Sequence, residues 1–368
     1  MEKRYGAIYG MTMTDFGILA VDHMGVILTS TDGAEWKTLD SNTVGYTSIT
    51  RTGTGGYFAA GGYEYSVSSD GIHWRRATHN GLSYVEQVTR MGKLTVGCFS
   101  GSLFTSENDT DWTWQRSDSL GNYGNNVFQA AYNGTVLVAV GNANRDSTLV
   151  ATSTDAVHWK LRYPKNLDWL NKVVWAKDRF FGMYPGTLAS SPDGIIWTRC
   201  TVAKMDWQPD IYDVTWTGRR FVAVGDHGQV LASQDGAAWS QMPVMDSTHR
   251  YHSIVWTGKR LVLGGERRNS KFIATAEEDP IGILPVTPVG GGLAYGFQGG
   301  WLTARMDGDD RLQRACLRNM RGLVVREGFA RDGAGGLRTP LAGLGRGAYV
   351  LDAEGTRAHV AAPLVIPR

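Results

Sequence analysis

Cysteine is scarce in this sequence: 368 residues hold three, Cys98, Cys200 and Cys316, each in a distant region. An odd, widely spaced set supplies neither a disulfide framework nor a thiolate metal cluster, and no metal is expected. Net charge is nearly absent as well. At +2 for the whole chain, bulk electrostatics point neither to nucleic acid nor to an anionic membrane surface. No long apolar run occurs, so no membrane span is expected. Met1-Glu2-Lys3-Arg4 is followed by no apolar core of a leader, and no signal peptide is expected. Helical periodicity is missing throughout the first 289 residues. The glycine pairs Gly61-Gly62 and Gly264-Gly265 lie between strand-like runs instead of opening a helix, so no phosphate loop and no cofactor are expected.

What the chain has is a repeat. Ser233-x-Asp235-Gly236-x-x-Trp239 recurs as Ser30-x-Asp32-Gly33-x-x-Trp36, Ser68-x-Asp70-Gly71-x-x-Trp74 and Ser191-x-Asp193-Gly194-x-x-Trp197. Weaker copies are Ser153-x-Asp155-Ala156-x-x-Trp159, Ser106-x-Asn108-Asp109-x-x-Trp112 and Thr275-x-Glu277-Glu278. Each follows an apolar strand-like run and precedes a short strand. Glycine supplies positive φ for the reversal, and the Asp side chain can accept N–H bonds inside its own turn. The aspartates Asp32, Asp70, Asp155, Asp193 and Asp235 therefore read as structural turn staples.

The Asp-like positions 32, 70, 108, 155, 193, 235 and 277 are separated by 38, 38, 47, 38, 42 and 42 residues. A period near 40 with several short strands per unit predicts propeller blades. Ile211–Thr217, Arg220–Val224, Gln229–Ser233 and Ala238–Met242 mark the four strands of the sixth. First strands are expected near residues 5, 46, 84, 126, 170, 211 and 251. The fold expected is all-β: a seven-bladed propeller over residues 1–289. Its ring would close either through Ile281–Pro288 or through a segment near Met1. The longest repeat is expected to carry its excess in loops at 117–126 and 142–148.

These seven copies resemble the Asp-box, or bacterial neuraminidase repeat, propellers, with Gly directly after Asp in four copies where the usual pattern has a residue between. The style of the chain also looks like propellers found among bacteriophage tail genes. The resemblance spans about residues 5–288. It implies the fold, and it includes sialidases, other glycosidases, sorting receptors and assembly factors. A sialidase would need an arginine triad, a Tyr–Glu pair and an acidic Asp. The Arg-Ile-Pro stretch that supplies the first arginine in such enzymes is absent before the first blade. Arg145, Arg250, Arg267 and Arg268 fall in loops, where arginines are ordinarily solvated. Asp206, Asp210 and Asp246 also fall in loops, but no spacing selects a carboxylate pair. Asp22-His23 and Asp226-His227 read as tight turns.

Binding has more to stand on. In such a ring, the turns between second and third strands share a face with the links between blades, and the Asp motifs lie opposite. The loop face would carry Tyr123, Trp169, Tyr184, Asp206, Trp207, Asp246, His249 and Arg267, with Tyr63, Asn80, Asn125 and Asn144 nearby. Aromatic faces beside carboxylates and amides suit sugars, although Trp169 and Trp207 could equally pack between blades.

Residues 290–368 change character. They open with Gly290-Gly291-Gly292 and contain 16 glycines, 11 arginines, seven acids and no lysine. Strands are expected at 301–307, 322–329, 348–352 and 358–365, with a hairpin turn at Asp352-Ala353-Glu354-Gly355. A Gly-rich segment of this size reads as an attachment or oligomerisation element. The expectation for the whole is a non-catalytic bacteriophage tail component in the virion, assembled in the host cytoplasm. It would bind a host-surface glycan or a neighbouring virion protein, with other tail proteins or sister copies held through residues 290–368. A cytoplasmic or cell-associated interaction scaffold and a glycoside-processing, sialidase-like enzyme are the alternatives.

Overall fold

The computed structural model describes residues 6–41, 45–61, 64–77, 85–99, 102–115, 120, 125–143, 147–203, 210–242, 247–268, 270–277, 284–285, 293–298, 301–306, 312–319, 324–327, 329–331, 337–340, 344, 347–355 and 359–366. Among them there is no helix. Seven antiparallel sheets follow one another along the chain: blades one to seven occupy 8–41, 48–77, 85–114, 125–162, 172–199, 211–241 and 249–285. The protein is a seven-bladed β-propeller.

The sixth blade contains Ile211–Trp216, Phe221–Gly225, Val230–Ser233 and Ala238–Gln241, within a residue of expectation at most bounds. It gains a fifth strand that periodicity does not reveal. Thr201–Ala203 pairs parallel with Ala238–Ser240, an edge addition of three residues from the preceding link. In the fourth blade the expected loops shrink: strands Asn125–Tyr132, Leu137–Ala143 and Ser147–Ser153 extend through both ends.

The motif turns have one repeated geometry. Ser233 Oγ accepts the Gly236 N–H at 2.8 Å and donates to Asp235 Oδ1 at 3.0 Å. Asp235 Oδ1 in turn accepts the N–H groups of Ala237 and Ala238, both at 2.9 Å. The same set recurs around Asp70, Asp155 and Asp193, and Asn108 substitutes its amide oxygen. The backbone donors hold Asp235 down to about 2. The glycine position is left-handed in the six described copies, at φ 83, 77, 72 and 71 for Gly33, Gly71, Gly194 and Gly236 and at 64 and 63 for Asp109 and Ala156. In four copies the motif Trp turns back so that Nε1 donates to that residue's carbonyl, as Trp74 does to Gly71 at 3.1 Å. Trp239 instead wedges between blades, meeting Phe181 of blade five edge-on at 5.7 Å. Glu278 of the seventh copy lies outside the described residues.

Asp235→Ala is expected to lower stability by about 1 kcal/mol, as loss of a helix cap does. A shifted urea midpoint with unchanged partner binding checks it; lost binding at unchanged midpoint contradicts it.

Neighbouring blades are joined across their inner strands by one recurring device. A side chain on one first strand accepts a backbone N–H from the next blade: Gln129 from Val173 at 3.3 Å, Asp213 from Ile254 at 3.0 Å, and Ser253 from Met11 at 3.1 Å. The last of these closes the ring, helped by Lys271 Nζ donating to buried Asp22 at 2.9 Å. Blade one is built wholly from residues 8–41, and the fourth strand of blade seven is Leu284–Pro285, paired with Ala274 and Thr275.

The chain divides into two compact units. One is Met1–Gln241, Asp246–Gly258 and Leu263–Phe272; the other is Met242–Met245, Lys259–Val262 and Ile273–Arg368. Beyond residue 290 the second holds two antiparallel four-stranded sheets. One orders Leu293–Gln298, Trp301–Met306, Leu337–Pro340 and Ala330–Arg331; the other Val324–Arg326, Leu312–Asn319, Gly347–Gly355 and His359–Ile366. The expected hairpin into the last strand forms, but its turn does not fall at 352–355. The strand continues to Gly355, and Asp352, Ala353 and Glu354 pair with Ala361, Val360 and His359. Turn-type residues at the end of a long ladder stay extended when every one of them has a cross-strand partner.

Candidate binding site at the loop face

Antiparallel order places the turns between second and third strands, and the links between blades, at the end of each sheet opposite the Asp boxes. Four rings form an array at this end across blades six, seven and one. His252, on the first strand of blade seven, stacks on Tyr9 of blade one with centroids 4.3 Å apart and planes at 14°. Tyr212 of blade six is tilted against the same His252 ring, with centroids 5.4 Å apart and planes at 34°. His23 extends the array beyond Tyr9 at 5.5 Å. Tyr9 and Tyr212 both follow a buried isoleucine at the start of a first strand, Ile8 and Ile211. The repeat therefore delivers equivalent side chains to neighbouring positions.

Charged groups flank the rings. Arg250 forms a two-pronged pair with Asp226, Nε to Oδ1 at 3.0 Å and Nη2 to Oδ2 at 3.1 Å, and reaches Glu266 at 3.3 Å. His252 Nε2 is buried, 3.8 Å from Glu266 Oε1, and has no hydrogen-bond partner among the described residues. Burial, then the charges of Lys172 and Arg250, push His252 down to about 4, so the ring is neutral at pH 7. Burial, then Glu266, raises Tyr9; burial, then Asp226, raises Tyr212. Burial works against ionisation of Asp226, but the Arg250 guanidinium outweighs it and holds the carboxyl below its usual range.

Of the residues expected on this face, Trp169 and Tyr184 come together on blade five, half-buried, with rings 5.9 Å apart at 59°. Arg267 is half-buried at the end of a strand in blade seven. His249 is buried against Phe272 at 4.4 Å and Tyr251 at 5.9 Å, so it packs within the blade. Tyr123, Asp206, Trp207 and Asp246 lie outside the described residues, as do Tyr63, Asn80, Asn144 and Arg145. Sequence reading missed Tyr9, Tyr212, His252 and Glu266. Aligning the blades on their first strands, instead of on the Asp motifs, brings the three rings to corresponding places.

No protein-family model matches this chain, and no curated protein matches it. Solved structures do. A catalytically inactive histidine-to-alanine variant of virginiamycin B lyase from Staphylococcus aureus, with quinupristin, superposes with TM-score 0.60 at 10% identity, covering 75% of this chain and 96% of that one. The WD40 β-propeller domain of Doa1 gives 0.55 at 10%, covering 76% and 96%. The extracellular domain of the hybrid two-component system BT4673 from B. thetaiotaomicron gives 0.59 at 9%, covering 100% of this chain and 58% of that one. The chain is thus similar in fold to an enzyme and to propellers of other kinds. At these identities the likeness is one of fold alone.

Proposed function

We propose that this chain is a non-catalytic binding propeller of a bacteriophage tail fibre or tail tip, and that its loop face recognises a host-surface glycan. The observation that supports binding is the ring array Tyr212–His252–Tyr9–His23. Flat ring faces beside fixed carboxylates and a guanidinium suit a sugar, whose apolar face stacks while its hydroxyls meet charged acceptors and donors. The electrostatics favour binding over proton transfer. Tyr9 and Tyr212 remain protonated at neutral pH, Asp226 remains charged, and His252 remains neutral with a basicity too low for an effective general base. The arginine-rich segment after residue 290 would hold the chain to other tail proteins or to sister copies.

A printed array of bacterial surface polysaccharides tests this reading. The full chain is expected to bind a subset, and a Tyr9→Ala/Tyr212→Ala double variant to lose about tenfold or more in affinity with its melting transition retained. Truncation after Val289 is expected to spare glycan binding and abolish assembly. Hydrolysis of fluorogenic glycosides, or array binding indifferent to the double variant, would overturn it.

A further inference from the structure

Away from the loop face, a cleft of about 380 Å³ lies at the Asp boxes of blades two and three, lined by Thr54, Ser69, His73 and Arg75 of blade two and by Asn108 and Asp109 of blade three. That volume falls within the small-ligand range of roughly 300–1,000 Å³. Two features there go beyond what a turn requires.

First, Asp109 stands where five of the other boxes have glycine or alanine, and only the eroded seventh, with Glu278, also has an acid. It is left-handed at φ 64 and only 7% exposed. Its carboxylate accepts Thr95 Oγ1 at 2.5 Å and also the Thr54 hydroxyl. The two threonines come from different blades, and Thr95 Oγ1 is itself fixed by the Gly53 N–H at 2.8 Å. A buried carboxylate served by hydroxyls, with no cation paired to it among the described residues, is a costly element to keep for a turn that glycine makes unaided.

Second, blade two offers an unspent donor in Arg75 and an acceptor in His73. Arg75 is exposed and has no ion-pair partner among the described residues. His73 donates Nδ1–H to Asp70 Oδ2 at 2.7 Å, a tautomer that leaves Nε2 as an acceptor for a ligand hydroxyl. A simple anion would satisfy Arg75 and face the Asp109 carboxylate with nothing to donate. A neutral sugar would supply hydroxyls to Asp109 and leave the guanidinium unpaired. One ligand class meets both needs.

We propose that this cleft binds an acidic sugar unit, a pyranose carrying one carboxylate. The carboxylate pairs with Arg75, a geometry the planar guanidinium favours, and a ring hydroxyl donates to His73 Nε2. The ring hydroxyls donate to Asp109 and exchange hydrogen bonds with Thr54 and Ser69. The site is separate from the loop-face array and does not depend on it.

Ligand-observed NMR on the full chain decides the matter, with D-glucuronate as probe and D-glucose and acetate as the two halves of its chemistry. Glucuronate is expected to bind, and each half-ligand to bind about tenfold more weakly or less. Arg75→Gln should weaken glucuronate about tenfold, since a charge-assisted pair is lost at a site with no structural partner. Asp109→Gly restores the box glycine; it should weaken glucuronate while the urea midpoint holds or rises. Tyr212→Ala should leave glucuronate binding unchanged. Absence of glucuronate binding, equal binding of D-glucose, or loss in Tyr212→Ala with none in Arg75→Gln would each overturn the proposal, the last by moving the sugar to the loop face.

Discussion

Gly225→Val is expected to destabilise the protein by about 3 kcal/mol, the upper part of the usual range for overpacking. A Cβ at Gly225 would stand 1.9 Å from the Asp210 carbonyl oxygen, which accepts the Asp226 N–H at 3.0 Å. The register between the first two strands of blade six slips at this point, between Ile211 and Asp213, and the slip brings that carbonyl inward. Gly141 and Gly265 occupy the same place in blades four and seven, with Asn126 and Arg250 carbonyls at 1.7 and 1.9 Å. The intruding atom meets backbone, which has little freedom to yield. The displaced turn also carries Asp226 away from Arg250. Gly218→Ala is the matched control. Gly218 has φ 94 and open space around its Cβ position, so backbone strain of about 1 kcal/mol is the whole cost. Urea midpoints of the two variants give the comparison. A Gly225→Val midpoint equal to that of Gly218→Ala would mean the bulge relaxes freely.

The second large effect is a loss of stability in mild acid. His252 has its pKa moved from 6.5 to about 4 by folding, and its side chain is 12% exposed. Between these values the unfolded chain binds a proton that the folded chain excludes, so stability falls as pH falls from 6.5 and is fully lost for this group near 4. The amount is about 3 kcal/mol, at roughly 1.4 kcal/mol for each pH unit between the two values. The box carboxylates act in the same direction but lower. Asp70, Asp155, Asp193 and Asp235 are held below the usual carboxylate range by hydrogen bonds, so their contribution is present above 3.8 and declines only beneath it. Stability against pH should therefore fall in two separate stages. His252→Phe keeps a ring in the stack and cannot titrate; it should remove the upper stage and leave the lower one. A wild-type profile flat from pH 6.5 to 4 would sink this account.

The blades were legible because their signal is local. A Ser, an Asp, a Gly and a Trp at fixed spacing describe a turn whose hydrogen bonds close within six residues, as those of Asp235 do. The loop-face site was less legible because no two of its rings are neighbours in sequence. Tyr9 and His252 stack across the closure of the ring, and nothing near either residue announces the other. His249 shows the reverse error: an aromatic in a link looks available until Phe272, on another strand, is found covering it. The extra strand Thr201–Ala203 escaped because three residues are too short for a period. The turn misplaced at Asp352–Gly355 was a composition signal that cross-strand pairing overrode.

Each blade takes its principal strands from one uninterrupted stretch of chain, and blade one borrows nothing from the far end of the sequence. The closure between Met11 and Ser253 is then a joint of the same kind as the one between Asp213 and Ile254. A gene encoding such a ring can gain or lose whole units by recombination within the links, because no unit is shared between distant exchange points. For an engineer it means that a break in the link between blades four and five should divide the ring at an interface of the same kind as the one between blades seven and one.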